Sequence, residues 1–291
     1  MRVKIIVDST ADLRPEVAKK VGIVPLTVHF GEKEYISGVT ITPQQFYEML
    51  VESGELPTTS QPTPFVFEEA FEKAVEEGYE VVCLTCSGKL SGTFQSANIA
   101  ASEFPGKVHV VDSNTIAIAL GILVEYAQEL VEQGLGAEEI VFKLMQKRDK
   151  VKLLALVDTL EYLKKGGRIS STVALAGGLL NIKPVITIDG GVIKLLGKAR
   201  GSRQGNNLLV QEIGKAGGVD FSKPLMLGYT GLSDALLQKY IEDSAAIWEN
   251  HRDQLPVSIV SSVVGTHVGP GAVAVAFFAA PPGFFVGRRQ Y

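Results

Sequence analysis

The first 150 residues alternate short apolar runs with helical stretches, and no other feature constrains the fold as tightly. Val3–Val7, Val81–Thr85 and Val108–Val111 read as buried strands, and Ile23–Phe30 as another. Helical patterns separate them. One begins near Asp12, one runs from Thr42-Pro43-Gln44-Gln45 to about Gly54, and one from Thr63-Pro64 to Gly78. Others begin near Ser91 and cover about 115–133 and 137–149. Thr42 to Gln45 has the form of a capping box with proline at the first helical position. Phe67, Ala70, Phe71, Ala74 and Val75 repeat at the spacing of one helix face. Strands joined by helices of this length predict βαβ units and a largely parallel sheet. Ligands of such sheets bind outside the carboxyl ends of the strands.

From about residue 152 the rhythm changes. Leu153–Val157 reads as a strand, and a small-residue apolar helix is predicted over Thr172–Leu180. Pro184–Ile188 and Val192–Lys198 flank Asp189-Gly190-Gly191, a hairpin signal. Helices at about 203–215 and 233–249 and strands at 224–230, 257–264 and 272–279 complete the pattern. The predicted fold is α/β, with an N-terminal parallel-sheet α/β domain (1–151) and a C-terminal mixed α+β domain (152–291). A chain of 291 residues lies near the length at which single cores divide.

Composition excludes several classes. The formal charge is −4, and no Lys/Arg-rich block is present, which argues against nucleic-acid binding. The start MRVKIIVDST is too short in apolar residues for a signal peptide, and no apolar run approaches a membrane span. A cytoplasmic protein without stable membrane insertion is expected. The two cysteines, Cys83 and Cys86, have C-x-x-C spacing. Cys83 falls inside a strand, which would turn the two thiols to opposite faces, so they read as buried structural residues. Two thiols do not close a zinc site, and His29, His109, His251 and His267 lack metal-ligand spacing, so no metal is expected.

Hydroxyl placement is the chemically informative feature. Several strands end in small hydroxylated residues: Asp8-Ser9-Thr10, Thr85-Cys86-Ser87, Asp112-Ser113 and Asp158-Thr159. Pro57-Thr58-Thr59-Ser60-Gln61-Pro62 reads as a stiff hydroxyl-rich loop, and Leu90-Ser91-Gly92-Thr93 opens a helix. Each hydroxyl serves equally as a helix cap. Several together at one sheet edge also make an anion pocket, to which free helix N–H groups contribute. Arg168 and Arg200 stand on glycine-flanked segments, suited to an anion or to simple solvation. His267 lies in Gly265-Thr266-His267-Val268-Gly269-Pro270-Gly271, predicted as a glycine-rich loop between two strands. It could bond an anion or a turn carbonyl.

Stronger catalytic signatures are absent. There is no G-x-x-x-x-G-K-[ST], no G-x-G-x-x-G after a strand and no H-E-x-x-H. Ser91 lacks the G-x-S-x-G elbow because position 89 is Lys. A Ser91–His267 pair, as in an esterase or acyl hydrolase, remains open as the alternative reading.

Several motifs together resemble the DegV family of bacterial fatty-acid-binding proteins. They are VDSTADL (Val7–Leu13), PTTSQPTP (Pro57–Pro64), LSGTFQSA (Leu90–Ala97), VVDSNT (Val110–Thr115), LEYLKKGGRIS (Leu160–Ser170), NIKPVI (Asn181–Ile186) and GTHVGPGA (Gly265–Ala272). The resemblance implies two domains, the first similar to a domain of dihydroxyacetone kinase, clasping one long-chain fatty acid. It implies no catalysis by this chain and no cofactor. The acyl carboxylate is presented to a separate ATP-using fatty acid kinase subunit, which forms an acyl-phosphate for phospholipid metabolism. The family's carboxylate-binding hydroxyls map onto Thr59 and Ser91, with His267 completing the network and Ser9, Gly92 and Thr93 nearby. Arg168 and Arg200 would face the kinase or the head group. Cys86-Ser87-Gly88-Lys89 and the tail Pro281–Tyr291 depart from the family pattern.

Overall fold

The computed structural model describes residues 2–170, 181–248 and 250–281. The predicted helix Thr172–Leu180 and all of the tail beyond Pro281 lie outside the described residues.

A four-stranded sheet forms from β1 (Arg2–Asp8), β2 (Gly22–Val24), β6 (Tyr79–Thr85) and β7 (Val108–Asp112), in the order β2-β1-β6-β7. Every pairing in it is parallel, as the alternation predicts. Successive side chains take opposite faces. Ile6, Val81 and Cys83 pack with Phe67 and Phe71 of α3 (Pro64–Glu76) and Ala97 and Ala100 of α4 (Thr93–Ala101). Ile5, Val7, Val82 and Leu84 pack on the other side with α5 (Ala117–Glu132) and α6 (Ala137–Lys147). Cys86 belongs to that second cluster, so the two buried free cysteines sit on opposite faces of the sheet.

A six-stranded mixed sheet holds β8 (Val151–Leu156), β9 (Ile182–Asp189), β10 (Val192–Arg200), β11 (Met226–Tyr229), β12 (Val257–Ile259) and β13 (Val273–Phe278). Its order is β10-β9-β8-β13-β11-β12, and only β11–β12 is parallel. Helix α5 is buried almost all round, the signature of a central helix. One apolar cluster joins it to Ile5 and Val7 of the first sheet and to Leu153, Ala155, Ala274 and Ala276 of the second. The far face of the second sheet is covered by α8 (Gly201–Lys215), α9 (Ala235–Asp243) and α10 (Ala245–Trp248), through Leu209, Leu237, Tyr240 and Trp248.

Four local expectations are corrected. Ile23–Phe30 is two strands in different sheets, because Pro25 lacks the N–H a ladder needs. Its second half, β3 (Thr27–Phe30), joins a three-stranded antiparallel sheet with β4 (Lys33–Ile36) and β5 (Thr58–Ser60), the latter formed from the predicted stiff loop. The helix expected near Asp12 is the single turn α1 (Pro15–Ala18), and Asp12 bonds elsewhere. The helix expected at 233–249 breaks at Ser244. That hydroxyl donates back to the Tyr240 carbonyl (2.5 Å) and accepts from Trp248 Nε1 (2.8 Å). The predicted strand 257–264 ends at Ile259, and Ser262–Val268 forms helix α11. Gly265 is needed there for packing rather than for a turn. A Cβ on it would lie 2.5 Å from Tyr47 Oη and 2.8 Å from Phe46 Cε1, both on α2 (Pro43–Ser53). The predicted capping box of α2, Thr42 with Gln45, is formed.

Candidate functional site

The carboxyl ends of β1, β6 and β7 meet at one edge of the parallel sheet, where Asp8 organises the backbone. Asp8 Oδ1 accepts from Thr10 N (2.9 Å) and Thr10 Oγ1 (2.5 Å), and Oδ2 accepts from Cys86 N (2.7 Å). Complete burial raises its carboxyl pKa, against the lowering pull of these bonds. The Cys86 thiol is pushed well up by burial and by Asp8, so it is not an activated nucleophile.

Above this edge lies a pocket walled by Thr10, Thr59, Cys86, Leu90, Ser91, Arg168 and His267, among others. Thr59 comes from β5, Ser91 from the turn before α4, Arg168 from just beyond α7 (Glu161–Lys165) and His267 from the last turn of α11. His267 Nε2 lies 2.8 Å from Thr59 Oγ1. Its Nδ1 is buried without a hydrogen-bond partner, and the ring passes so close to Gly166 that a Cβ there would lie 2.4 Å from Nδ1. Burial, helped by the charge on Arg168, lowers the His267 pKa to about 4, so the ring is neutral at pH 7. Arg168 is held by backbone carbonyls: Nε donates to Leu90 O (3.2 Å) and a terminal nitrogen to Gly166 O (2.5 Å). Ser91 Oγ lies 2.8 Å from Thr93 Oγ1 and accepts from Thr93 N (3.3 Å). A neutral imidazole, two hydroxyls and a guanidinium suit a carboxylate or another small anion.

A second cavity adjoins the first. Its wall is mainly aliphatic, from Leu153, Ala155, Ile186, Ala272 and Ala274 among others, with Thr187, Tyr229 and Thr230 beside them. Ile116, Ile193, Val264 and Val268 line both cavities, so the pocket that holds Thr59, Ser91, Arg168 and His267 shares a wall with an apolar one. Ile193 is held there by the turn of the β9–β10 hairpin. Ser87 Oγ donates to Gly191 O (2.7 Å) and Lys89 Nζ to Gly190 O (2.8 Å), which gives the Cys86–Lys89 segment a structural task.

Not every candidate residue reaches the pocket. Ser9 Oγ accepts from Leu26 N (2.8 Å) and ties β1 to the start of β3, while its neighbour Thr10 lines the pocket. Gly92 is covered by the Gln61 side chain, which a Cβ at 92 would meet at 2.2 Å, and Thr93 is buried beneath Ser91. Arg200 lies seven residues along β10 from Ile193, roughly 23 Å for an extended strand, and lines neither cavity. No hydrogen bond joins Ser91 to His267 among the described residues, and no carboxylate orients the imidazole, two elements a serine hydrolase requires.

Asp12 was not singled out by sequence reasoning. Its Oδ1 accepts from the backbone N–H of Ser261 (2.7 Å), the cap of the helix that carries His267. Burial raises its carboxyl pKa to about 7. No local signal in the sequence announces this pairing, which spans 249 positions. Among the described residues no cluster of His, Cys, Asp and Glu could hold a metal ion, and no helix is long and apolar enough to cross a membrane.

Comparison with known proteins places the fold. A family model described as "Uncharacterised protein, DegV family" matches residues 2–280. A DegV domain-containing protein of Deinococcus radiodurans is 37% identical over 284 residues, covering 95% of this chain and 98% of the relative. A solved DegV family protein of Thermus thermophilus, described for its fatty acid binding, is 33% identical with a TM-score of 0.84, over 96% of this chain and 100% of that one. The Fatty Acid Kinase B3 protein of Streptococcus pneumoniae, solved loaded with linoleic acid, is 28% identical with a TM-score of 0.81, over 96% and 100% of the two chains.

Proposed function

This chain belongs to the DegV family, and from that premise we propose that it is a carrier of one long-chain fatty acid. The carboxylate sits among Thr59, Ser91, Arg168 and His267, and the acyl chain runs past Ile116 and Val268 into the aliphatic cavity. In the same reading residues 1–151 and 152–291 are two domains with the ligand between them. The protein works in the bacterial cytoplasm without catalysis or cofactor of its own. It presents the carboxylate to a separate ATP-dependent fatty acid kinase subunit, which makes the acyl-phosphate.

The observation that carries the reading is that the pocket headed by the Thr59–His267 hydrogen bond shares four wall residues with an apolar cavity. The energetics fit this division of labour. Burying about fourteen methylenes gives a gross gain on the order of 10 kcal/mol, before association costs. Each hydrogen bond to a charged head group adds about 1.5–3 kcal/mol. The aliphatic cavity therefore sets affinity, and the polar pocket sets orientation. The fatty-acid-binding descriptions of the Thermus and Streptococcus relatives support the same ligand class.

Native mass spectrometry of the protein purified from a bacterial host, followed by solvent extraction, tests the ligand. One long-chain fatty acid per chain is expected. A ligand-free chain that takes up no added fatty acid overturns the reading. Adding a competent kinase subunit and ATP to the loaded protein tests presentation, with acyl-phosphate as the product. Turnover of a chromogenic ester that disappears in Ser91→Ala would instead establish the hydrolase.

A further inference from the structure

One short helix supplies Val263, Val264, His267 and Val268 to the wall of the pocket that holds Thr59 and Ser91. All four stand on α11, a helix of seven residues. Among the described residues the His267 imidazole makes one hydrogen bond, to Thr59, and its Nδ1 is buried without a partner. Where the ring sits is therefore set by where the backbone of α11 sits.

Three side chains from three separate parts of the fold grip the start of that helix. Asp12, in the loop after β1, accepts from Ser261 N (2.7 Å). Tyr47 of α2 donates to Val260 O (3.0 Å). The Ser37 hydroxyl, just beyond β4, lies 2.9 Å from that of Ser262. Of these, Asp12 carries the position of the central helix α5. Its own N–H donates to Ala117 O (3.3 Å), and its carbonyl lies over Gly121, where a Cβ would come within 1.9 Å. The Asp12 side chain is short and buried, so little slack remains between α5 and Ser261.

From Ser261 to His267 is roughly 9 Å of helix rise. A turn or slide at the start of α11 is carried along the rod to the imidazole. A displacement of about 1 Å would stretch the 2.8 Å contact between His267 and Thr59 beyond hydrogen-bonding range.

We propose that Asp12 is a positioning residue of the head-group pocket: by holding the Ser261 N–H it seats α11, and so sets His267 against Thr59. Asp12 lines neither cavity, so it acts through His267. The consequence for ligand binding rests on the fatty-acid reading, whereas the placement of His267 rests on the geometry alone.

Two measurements on the full chain test it. The first follows the His267 imidazole by NMR in ligand-free protein, assigned by the signals lost in His267→Gln. Asp12→Ala should shift those signals. Asp12→Asn, which keeps an acceptor for Ser261 N–H, should restore them. The second compares a long-chain acid with its methyl ester by calorimetry. Asp12→Ala should lose about tenfold more affinity for the acid than for the ester, and Asp12→Asn should recover it. In a His267→Gln chain, Asp12→Ala should widen the gap between acid and ester no further. Should Asp12→Ala fail to fold, Ser261→Pro removes the same N–H from the other side, at a φ of −57° that proline adopts. It should reproduce both the shift and the loss. Unmoved His267 signals, equal losses for acid and ester, no recovery in Asp12→Asn, or a further selective loss in the His267→Gln chain overturn the proposal. A parent chain that binds neither acid nor ester overturns the fatty-acid reading instead, while the His267 signals still decide what Asp12 does.

Discussion

Thr59 Oγ1 and His267 Nε2 lie 2.8 Å apart although 208 positions separate them in the chain. The bond links the edge strand of the small antiparallel sheet to the helix packed on α2, at the head of the polar pocket. Thr59→Val keeps the shape, removes the hydroxyl and leaves Nε2 unpaired. Affinity for a long-chain acid should fall by about 10- to 100-fold, the worth of one hydrogen bond to a charged group. The methyl ester of the same acid should bind both proteins equally. Calorimetric titration of acid and ester checks this, and equal loss for both would remove Thr59 from the head-group site.

The junction between the two cavities gives a second prediction. Val268 lines both, so Val268→Phe should obstruct the passage. Each methylene denied burial costs about 0.8 kcal/mol, so two of them cost roughly tenfold in affinity. Acids of sixteen or so carbons should lose affinity steeply, while octanoate should be little changed. A uniform loss across chain lengths would mean that the chain does not pass Val268.

Two buried groups should give stability slopes of opposite sign with pH. His267 is lowered from 6.5 to about 4 in the folded chain. The unfolded chain binds its proton first, so stability is lost as pH falls from 6.5 toward 4, by on the order of 3 kcal/mol. Asp12 is raised from 3.8 to about 7. Here the folded chain holds the proton longer, so stability is lost as pH rises from about 4 to 7. Asp12→Asn keeps an acceptor for Ser261 N–H and removes the titration. Relative to the parent it should gain stability between pH 5 and 8, and His267→Gln should gain between pH 7 and 4.5. Urea unfolding at these pH values measures both, and parallel curves for parent and variant would contradict the assignment.

Gly121 marks the closest approach of α5 to the loop after β1. A Cβ there would lie 1.9 Å from the Asp12 carbonyl oxygen, a backbone atom with little room to move. Gly121→Ala should cost about 3 kcal/mol or more, through overpacking that also displaces Asp12. Thermal unfolding reads the loss. A variant as stable as the parent would show that the helix and loop can separate freely.

Much of the framework was legible in the linear sequence. Apolar runs spaced by helices announced the parallel sheet, because parallel strands require crossovers. The turn at Gly190-Gly191 announced the β9–β10 hairpin, and Thr42 with Gln45 announced the start of α2. These are local rules of period, capping and turn geometry, and they act within a dozen residues. Motif resemblance pointed to Thr59, Ser91 and His267, whose side chains all line one pocket. Only tertiary structure decided the rest. Leu26 reaches Ser9, so Thr10 and not Ser9 lines the pocket. Tyr47 and Phe46 press on Gly265, so its glycine serves helix packing where composition suggested a loop. Ser261 is capped by Asp12, and Arg200 stands at the far end of its strand from the cavities. Each of these depends on which surfaces meet when sheets and helices close around α5, and no local rule carries that information.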